Sequence, residues 1–464
     1  MSENPGAPLE ETPAKHTAPQ HPLTDSVALA DAAEALLRSN DRGQYTVPAP
    51  DLYPHQWLWD SAFIAIGIAH YDLERAQNEI RHLVSGQWSN GMLPHMIFNS
   101  SPAFRGDRNA WRSWVNPASP DHVVTSGITQ PPVLAEAIVQ IGSHMSAAER
   151  RAWYKEVFPA LLAYHEWLYE ERDPHHEGLT LQIHPWETGL DNTPPWMAEL
   201  REHLLPWWIR VLQNTKLSSF VRYIRRDTRR IPPEQRFTST EVLALFDAQK
   251  RLRRKNYDIH RILNHSLFTI EDLTFNSIFI RANEHLEHIA KALRKQLPAE
   301  LQARMLHTRE ALELLWDDQS LQYYSRDFIT HRLLRTPSVA TLLPLYGGAV
   351  SKERAAQLVS LLENDQLFGS AYPAPSVPVS SEWFDADRYW QGPSWVNINW
   401  LIIEGLHRYG YHDHAEALRE TTLEMVGQGG FYEYFNPLDG SPLGSPDFSW
   451  TAALALDLLH RKKK

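Results

Sequence analysis

The 464-residue sequence contains no cysteine. That excludes disulfides, thiol nucleophiles, zinc-thiolate sites and iron–sulfur clusters. No uncharged apolar run approaches the ~18 residues of a membrane span, so no membrane helix is expected. Basic residues are in deficit: 45 Lys plus Arg stand against 56 Asp plus Glu, a net charge of −11. An acidic surplus argues against nucleic acid or an anionic membrane as a main partner. The opening stretch MSENPGAPLEETPAKHTAPQHPL has no apolar h-region, so no secretory signal is expected and a cytoplasmic location is the default. There is no Walker A motif, no G-x-G-x-x-G after a strand and no H-E-x-x-H, so neither a cofactor nor a metal is expected. His285 and His288 share a helix face but lack a third ligand, and a solvated polar face is the expectation for them.

What is abundant is aromatic: 17 Trp, 17 Tyr and 16 Phe. Trp gathered in polar motifs suits sugar recognition, because the C–H face of a sugar ring stacks on an aromatic face while its hydroxyls require polar partners. The local pattern is helical almost throughout, with apolar residues near i, i+3, i+4 and i+7 in segments such as 25–37, 61–70, 132–145, 148–172, 270–297, 394–409 and 449–461. Ser146-Ala-Ala-Glu149 is a capping-box signature. Strand-like alternation is scarce, and Leu179–Ile183 is the best short candidate. About a dozen helices joined by long loops suit an all-α fold, an (α/α)6 barrel with its site at one mouth. No fixed-period repeat supports the rival solenoid. The expected organisation is a disordered tail over 1–22 and a single catalytic domain over 23–464, with loop insertions near 88–128 and 215–265. Loops that long in a compact protein usually serve function.

Four loop motifs concentrate chemistry. The first is Tyr53-Pro-His-Gln-Trp57-Leu-Trp59-Asp60, where three aromatics, a His and a Gln read as a pocket wall; Asp60 could instead be a helix N-cap. The second is His184-Pro-Trp-Glu187-Thr-Gly-Leu-Asp191-Asn-Thr-Pro-Pro-Trp196. A carboxylate beside Trp in a partly dry pocket has its pKa raised, as a general acid needs, although Asp191 could merely cap the next helix. The third runs from Ser381 to Trp400, with Tyr389-Trp390-Gln391-Gly392-Pro393 as a turn with polar edges and Ile398 and Ile402 as helix core. In the fourth, Gly429-Gly-Phe-Tyr-Glu433-Tyr-Phe-Asn-Pro, Glu433 has aromatics on both sides; its plain alternative is a Glu paired with an Arg. Two carboxylates on separate loops, each among aromatics, suggest glycoside hydrolysis, in which one acid protonates the leaving oxygen and a second carboxylate activates water or attacks directly.

At these motifs the chain resembles glycoside hydrolase family 63, in particular its bacterial mannosylglycerate and glucosylglycerate hydrolases. Gly91-Met-Leu-Pro-His-Met-Ile-Phe and Gly127-Ile-Thr-Gln-Pro-Pro add to the match, which runs from about Tyr45 to Leu459. The resemblance implies an (α/α)6 barrel and an inverting α-glycosidase acting on a small sugar substrate. It implies Asp191 as general acid and Glu433 as general base. Asp60, with Tyr53, Trp57 and Trp59, would belong to the sugar subsite, and Gln130, Tyr389, Trp390, Gly392 and Trp395 match further pocket positions. In the glycerate-specific branch, mobile loops supply an Arg for the glycerate carboxylate. The Arg-rich run Val221–Ile231 resembles that region, and Arg226 is the candidate clamp. A family 63 α-glucosidase of neutral disaccharides, a sugar epimerase or isomerase, and a carbohydrate-binding protein on the same toroid are the alternatives. Whether the protein forms a homo-oligomer stays open.

Overall fold

The computed structural model describes residues 25–199, 227–264, 266 and 268–461. The tail expected over 1–22, and Arg226 with most of the Arg-rich run, lie outside the described residues.

Helices dominate. In chain order they are α1 (Ser26–Asn40), α2 (Leu58–Ile68), α3 (Leu73–Ser85), α4 (Arg105–Trp111), α5 (Leu134–Ser143) and α6 (Ala147–Arg172). Next come α7 (Pro194–Glu199), α8 (Ser239–Arg254), α9 (Ile259–Leu263), α10 (Leu273–Leu293) and α11 (Ala299–Ala311). The last are α12 (Pro344–Gly347), α13 (Lys352–Glu363), α14 (Val396–Arg408), α15 (His412–Gly429) and α16 (Ser449–His460). Their starts follow local chemistry. Ser146 and Glu149 form the capping box at α6, and Thr238 and Glu241 form another at α8. Asp25, Asp72, Asp272 and Ser351 cap α1, α3, α10 and α13 with side-chain oxygens.

Packing closes a ring. α2 touches α5, α5 touches α10, α10 touches α12, α12 touches α14, α14 touches α16, and α16 returns to α2. Helices α1, α3, α6, α11 and α15 pack outside that ring against its members. This is the double-layered α toroid expected from the helical periodicity. The inner helices are apolar nearly all round: every residue of α2 is buried, as are most of α14 and α16. Buried polar ties cross the ring as well. Glu136 of α5 accepts a hydrogen bond from Tyr346 of α12 (2.8 Å) and pairs with His285 of α10 (2.7 Å). His285 is therefore buried in the ring and not on a solvated face, because a carboxylate enclosed at that depth requires a partner.

Two other expectations change. Residues 179–183 form no strand; they contribute a single bridge, Gln182 to Ile270, because the segment turns into the loop that carries Asp191. The 88–128 insertion is not structureless either, since it holds α4 and short 3-10 turns at Pro102–Phe104 and Ser113–Val115.

Phe63 of α2 is fully enclosed at the ring's centre, edge-on to Trp400 and Trp450. Phe63→Ala should cost about 3–5 kcal/mol of stability, read from denaturant unfolding. A loss below ~1 kcal/mol would mean that the inner ring is not the core.

Candidate active site

Gln56–Trp57 pairs antiparallel with Met96–Ile97, which fixes the chain just before α2. Trp57 occupies the N-cap position and Asp60 sits in the first turn, so Asp60 is not the cap. Asp60 is 5% exposed. Burial, then the nearby charges of Glu433 and Asp191, hold its pKa well above the usual carboxylate range.

The acid loop is built on a buried ion pair. Arg172, the last residue of α6, donates to both oxygens of Glu187 at 2.6 and 3.2 Å. Glu187 also accepts the backbone N–H groups of Ile183 (2.7 Å) and Thr129 (3.1 Å). One carboxylate thus ties the acid loop to the segment bearing Gln130. Gly189 follows with φ +80°, and a Cβ there would lie 2.6 Å from the Trp59 ring, so the loop needs glycine at this point. Asp191 then projects into the cavity, where its Oδ2 accepts from the Tyr389 hydroxyl at 3.3 Å. Burial pushes its pKa up to about 7, against the Tyr389 hydrogen bond and the Arg236 charge, with Glu433 adding to the rise. A carboxyl poised there is protonated in part at neutral pH.

Glu433 precedes the short strand Tyr434–Phe435, which pairs with Pro442–Leu443. Its Oε2 accepts from the Ser445 N–H (3.0 Å) and its Oε1 from the Tyr53 hydroxyl (2.7 Å). Arg236 Nη1 donates to both oxygens at 3.2 and 3.1 Å. Glu433 is thus paired with an Arg, as its plain reading has it, and it also lines the cavity. Arg236 is itself 5% exposed; its Nη2 donates to the Tyr53 hydroxyl at 2.8 Å, and its guanidinium lies 4.3 Å from the Tyr389 ring centre.

These loops are stitched to one another. Asn192 Oδ1 accepts the Trp390 N–H (2.9 Å), and Ser394 exchanges two backbone hydrogen bonds with Phe435. The result is one cavity of about 390 Å³. Tyr53, Trp57, Trp59, Asp60, Gln130, Asp191, Tyr389, Trp390 and Glu433, all anticipated from sequence, line it.

Two anticipated residues do not reach the wall. Trp395 lies flat beneath Trp390, ring centres 3.6 Å apart, and supports it from the core. Gly392 donates its N–H to Ser376 Oγ, away from the cavity lining. Among the remaining Arg-rich residues, Arg230 pairs with Asp51 at the surface. Sequence reasoning missed Arg236, Phe448 and Trp450. Arg236 sits among many Arg in the second insertion with no motif to single it out. Trp450 reads as an ordinary apolar position of the last helix. Yet both Trp57 and Trp450 line the cavity with buried indole N–H groups that have no partner among the described residues. Among the described residues, no three His, Asp or Glu side chains converge on a metal-sized site. No helix of the described residues is long and apolar enough to cross a membrane.

Residues 53–451 match the mannosylglycerate hydrolase MGH1-like glycoside hydrolase domain. A mannosylglycerate hydrolase of Rubrobacter radiotolerans is 37% identical over 433 residues, covering 92% of this chain and 96% of that protein. A glucosylglycerate hydrolase of Mycolicibacterium hassiacum is 32% identical over 458 residues, covering 95% of this chain and all of that protein. The crystal structure of a GH63 mannosylglycerate hydrolase from Thermus thermophilus, in complex with Tris and D-glycerate, superposes with a TM-score of 0.83 at 36% identity; the match covers 92% of this chain and 99% of that one. With the toroid, the paired carboxylates and the aromatic wall in place, the chain belongs to the MGH1-like glycoside hydrolases of family 63.

Proposed function

We propose that the protein hydrolyses 2-O-α-mannosyl- or 2-O-α-glucosyl-D-glycerate to the free sugar and glycerate, by single displacement with inversion. The observation that carries the carboxylate-bearing substrate is Arg236. The carboxyl groups of Asp60, Asp191 and Glu433 offer a small anion no cationic partner. A buried guanidinium held against Glu433 reverses that at one edge, and its planar fork suits a carboxylate. The named activities of the relatives support the same substrate class.

The chemistry follows from the two environments. Asp191, protonated near neutral pH, gives its proton to the glycosidic oxygen as the bond to the anomeric carbon breaks. Glu433 takes a proton from a water that attacks the opposite face of the ring. Arg236 pairs with that base, and a glycerate carboxylate offers the guanidinium a competing partner, so binding of the correct aglycone frees Glu433 for water. Trp57 and Trp450 offer unpaired N–H donors to sugar hydroxyls. Asp60, which also holds a proton readily, can donate as well as accept there. Discrimination between glucose and mannose rests on one hydroxyl among these groups.

Asp191→Ala and Glu433→Ala should each lower kcat by on the order of 10²–10⁴-fold or more. Proton NMR of the first-formed sugar should show the β-anomer. Retention of a tenth of kcat by either variant, or initial release of the α-anomer, would overturn the assignment.

The pH dependence has a definite sign. The proton on Asp191 is required, so kcat/KM should fall as pH rises through about 7. Stability moves the same way. Between the ordinary Asp value and about 7 the folded state binds a proton that the unfolded state does not, so stability is lost as pH climbs through that window. Relative to Asp191→Asn, the wild type should lose up to a few kcal/mol from pH 4 to pH 7, in urea titrations at each pH. A pH-independent difference would mean that Asp191 ionises normally.

Arg236→Ala should lower the ratio of kcat/KM for a glycerate glycoside over a neutral glycoside of the same sugar by about 30-fold or more, the worth of a charge-assisted contact of ~2–3 kcal/mol. Equal losses on the two substrates would reject Arg236 as the carboxylate partner. An outright wild-type preference for neutral disaccharides would reject the glycerate substrate.

A further inference from the structure

A second cavity lies behind the acid loop. Among the described residues its wall includes the rings of Trp88, Trp167 and Tyr257, with Glu171 and Arg172 from the end of α6 and His260 from α9. It shares no lining residue with the catalytic cavity. Arg172 marks the partition, because its guanidinium is held by Glu187, four residues before Asp191.

This pocket is built at some conformational expense. Asn256 and Tyr257 adopt successive left-handed backbones, φ +56° and +55°, although neither is glycine. Such conformations persist only where the surroundings over-determine them, and they gather at ligand sites. Here the Tyr257 hydroxyl donates to the Trp111 carbonyl and accepts from Gln249 Nε2 at 3.3 Å, which locks the ring against the cavity. Gly127 makes the room: a Cβ at that position would overlap the Tyr257 ring. Gly127 belongs to one of the sequence motifs singled out above, and catalysis gives it no task. The Glu171 carboxyl is half-buried, and burial raises its pKa while Arg172 and His260 pull it down. It accepts no hydrogen bond from the described residues.

We propose that this cavity is a second, non-catalytic site for a neutral sugar ring. Aromatic faces meet the C–H face of the ring, and the free carboxylate of Glu171 can accept from two adjacent hydroxyls. His260 supplies a donor at the exposed lip. An anion is disfavoured, since Glu171 and the neighbouring Asp258 lie on the wall while Arg172 is already committed to Glu187. This inference does not depend on the glycoside specificity proposed above, and its test reads binding and not turnover.

The test uses the full chain carrying Asp60→Ala, which disables the catalytic sugar subsite, with glucose and mannose as probes in saturation-transfer NMR. Sugar contacts should persist in this variant. Adding Glu171→Gln should weaken them about tenfold, the worth of one charge-assisted hydrogen bond. His260→Ala, an exposed position that does not threaten folding, should weaken them in the same sense. In an otherwise wild-type chain, Glu171→Gln should leave kcat unchanged. Absence of sugar contacts in Asp60→Ala, or contacts unaltered by both Glu171→Gln and His260→Ala, would overturn the proposal.

Discussion

The ion pair between Arg172 and Glu187 holds the loops around the candidate site together. Both partners are almost fully enclosed, 3% and 0% exposed, so removing either leaves a buried charge uncompensated, at a cost of about 3–5 kcal/mol. The pair is placed where three parts of the chain converge. Arg172 ends the longest helix, Glu187 starts the turn into Asp191, and the N–H of Thr129 draws in the loop that carries Gln130. Burial alone would push the Glu187 carboxyl up, and the Arg172 charge and two backbone donors oppose that. The acid loop is thus set by electrostatics in the dry interior, which is strong and directional, and not by apolar packing alone.

From that anchor the site separates three carboxylates by environment. Glu433 receives donors on both oxygens from Ser445, Tyr53 and Arg236. Among the described residues, Asp191 receives one neutral hydroxyl, and Asp60 has only its own backbone as hydrogen-bond partner. Burial raises the pKa of Asp191 and of Asp60, so those two are suited to hold a proton. Tyr53 and Tyr389 mediate between them, since the first hydroxyl donates to Glu433 and the second to Asp191. The Arg236 guanidinium contacts the former and lies over the ring of the latter.

Much of this could be read from the chain because the residues that do chemistry lie in short, dense motifs. Tyr53 to Asp60, Glu187 to Asp191 and Glu433 with its aromatic neighbours are local in sequence, and their chemistry is visible without knowing what they face. The toroid was legible from a dozen helical periodicities and the lack of strands. What could not be read is pairing across distance. Arg236 and Glu433 are 197 residues apart, and no local pattern separates Arg236 from the Arg residues around it. Trp395 carries the same aromatic signal as Trp390, yet it lies one layer deeper, because side-chain depth depends on how α14 enters the ring. His285 looks solvated from its helix face, and only the packing of α10 against α5 reveals the carboxylate that it serves.

The ring also explains why the site is at one mouth. Asp60 lies in the first turn of α2, Gln130 just before α5, Trp395 at the N-cap of α14, and Phe448 at the N-cap of α16. These four inner helices therefore begin at the cavity wall or just beneath it and run away from it. Each contributes the positive end of its dipole near that rim. A carboxylate charge in a low-dielectric pocket is costly, and parallel helix N-termini offset part of that cost without placing further cations beside the cavity. The same arrangement leaves the first turns free to carry polar side chains while the remaining turns stay apolar, as α2 does after Asp60 and Ser61. Catalytic polarity and core hydrophobicity are thus divided along each helix, and the depth of the cavity is set by where the apolar turns begin.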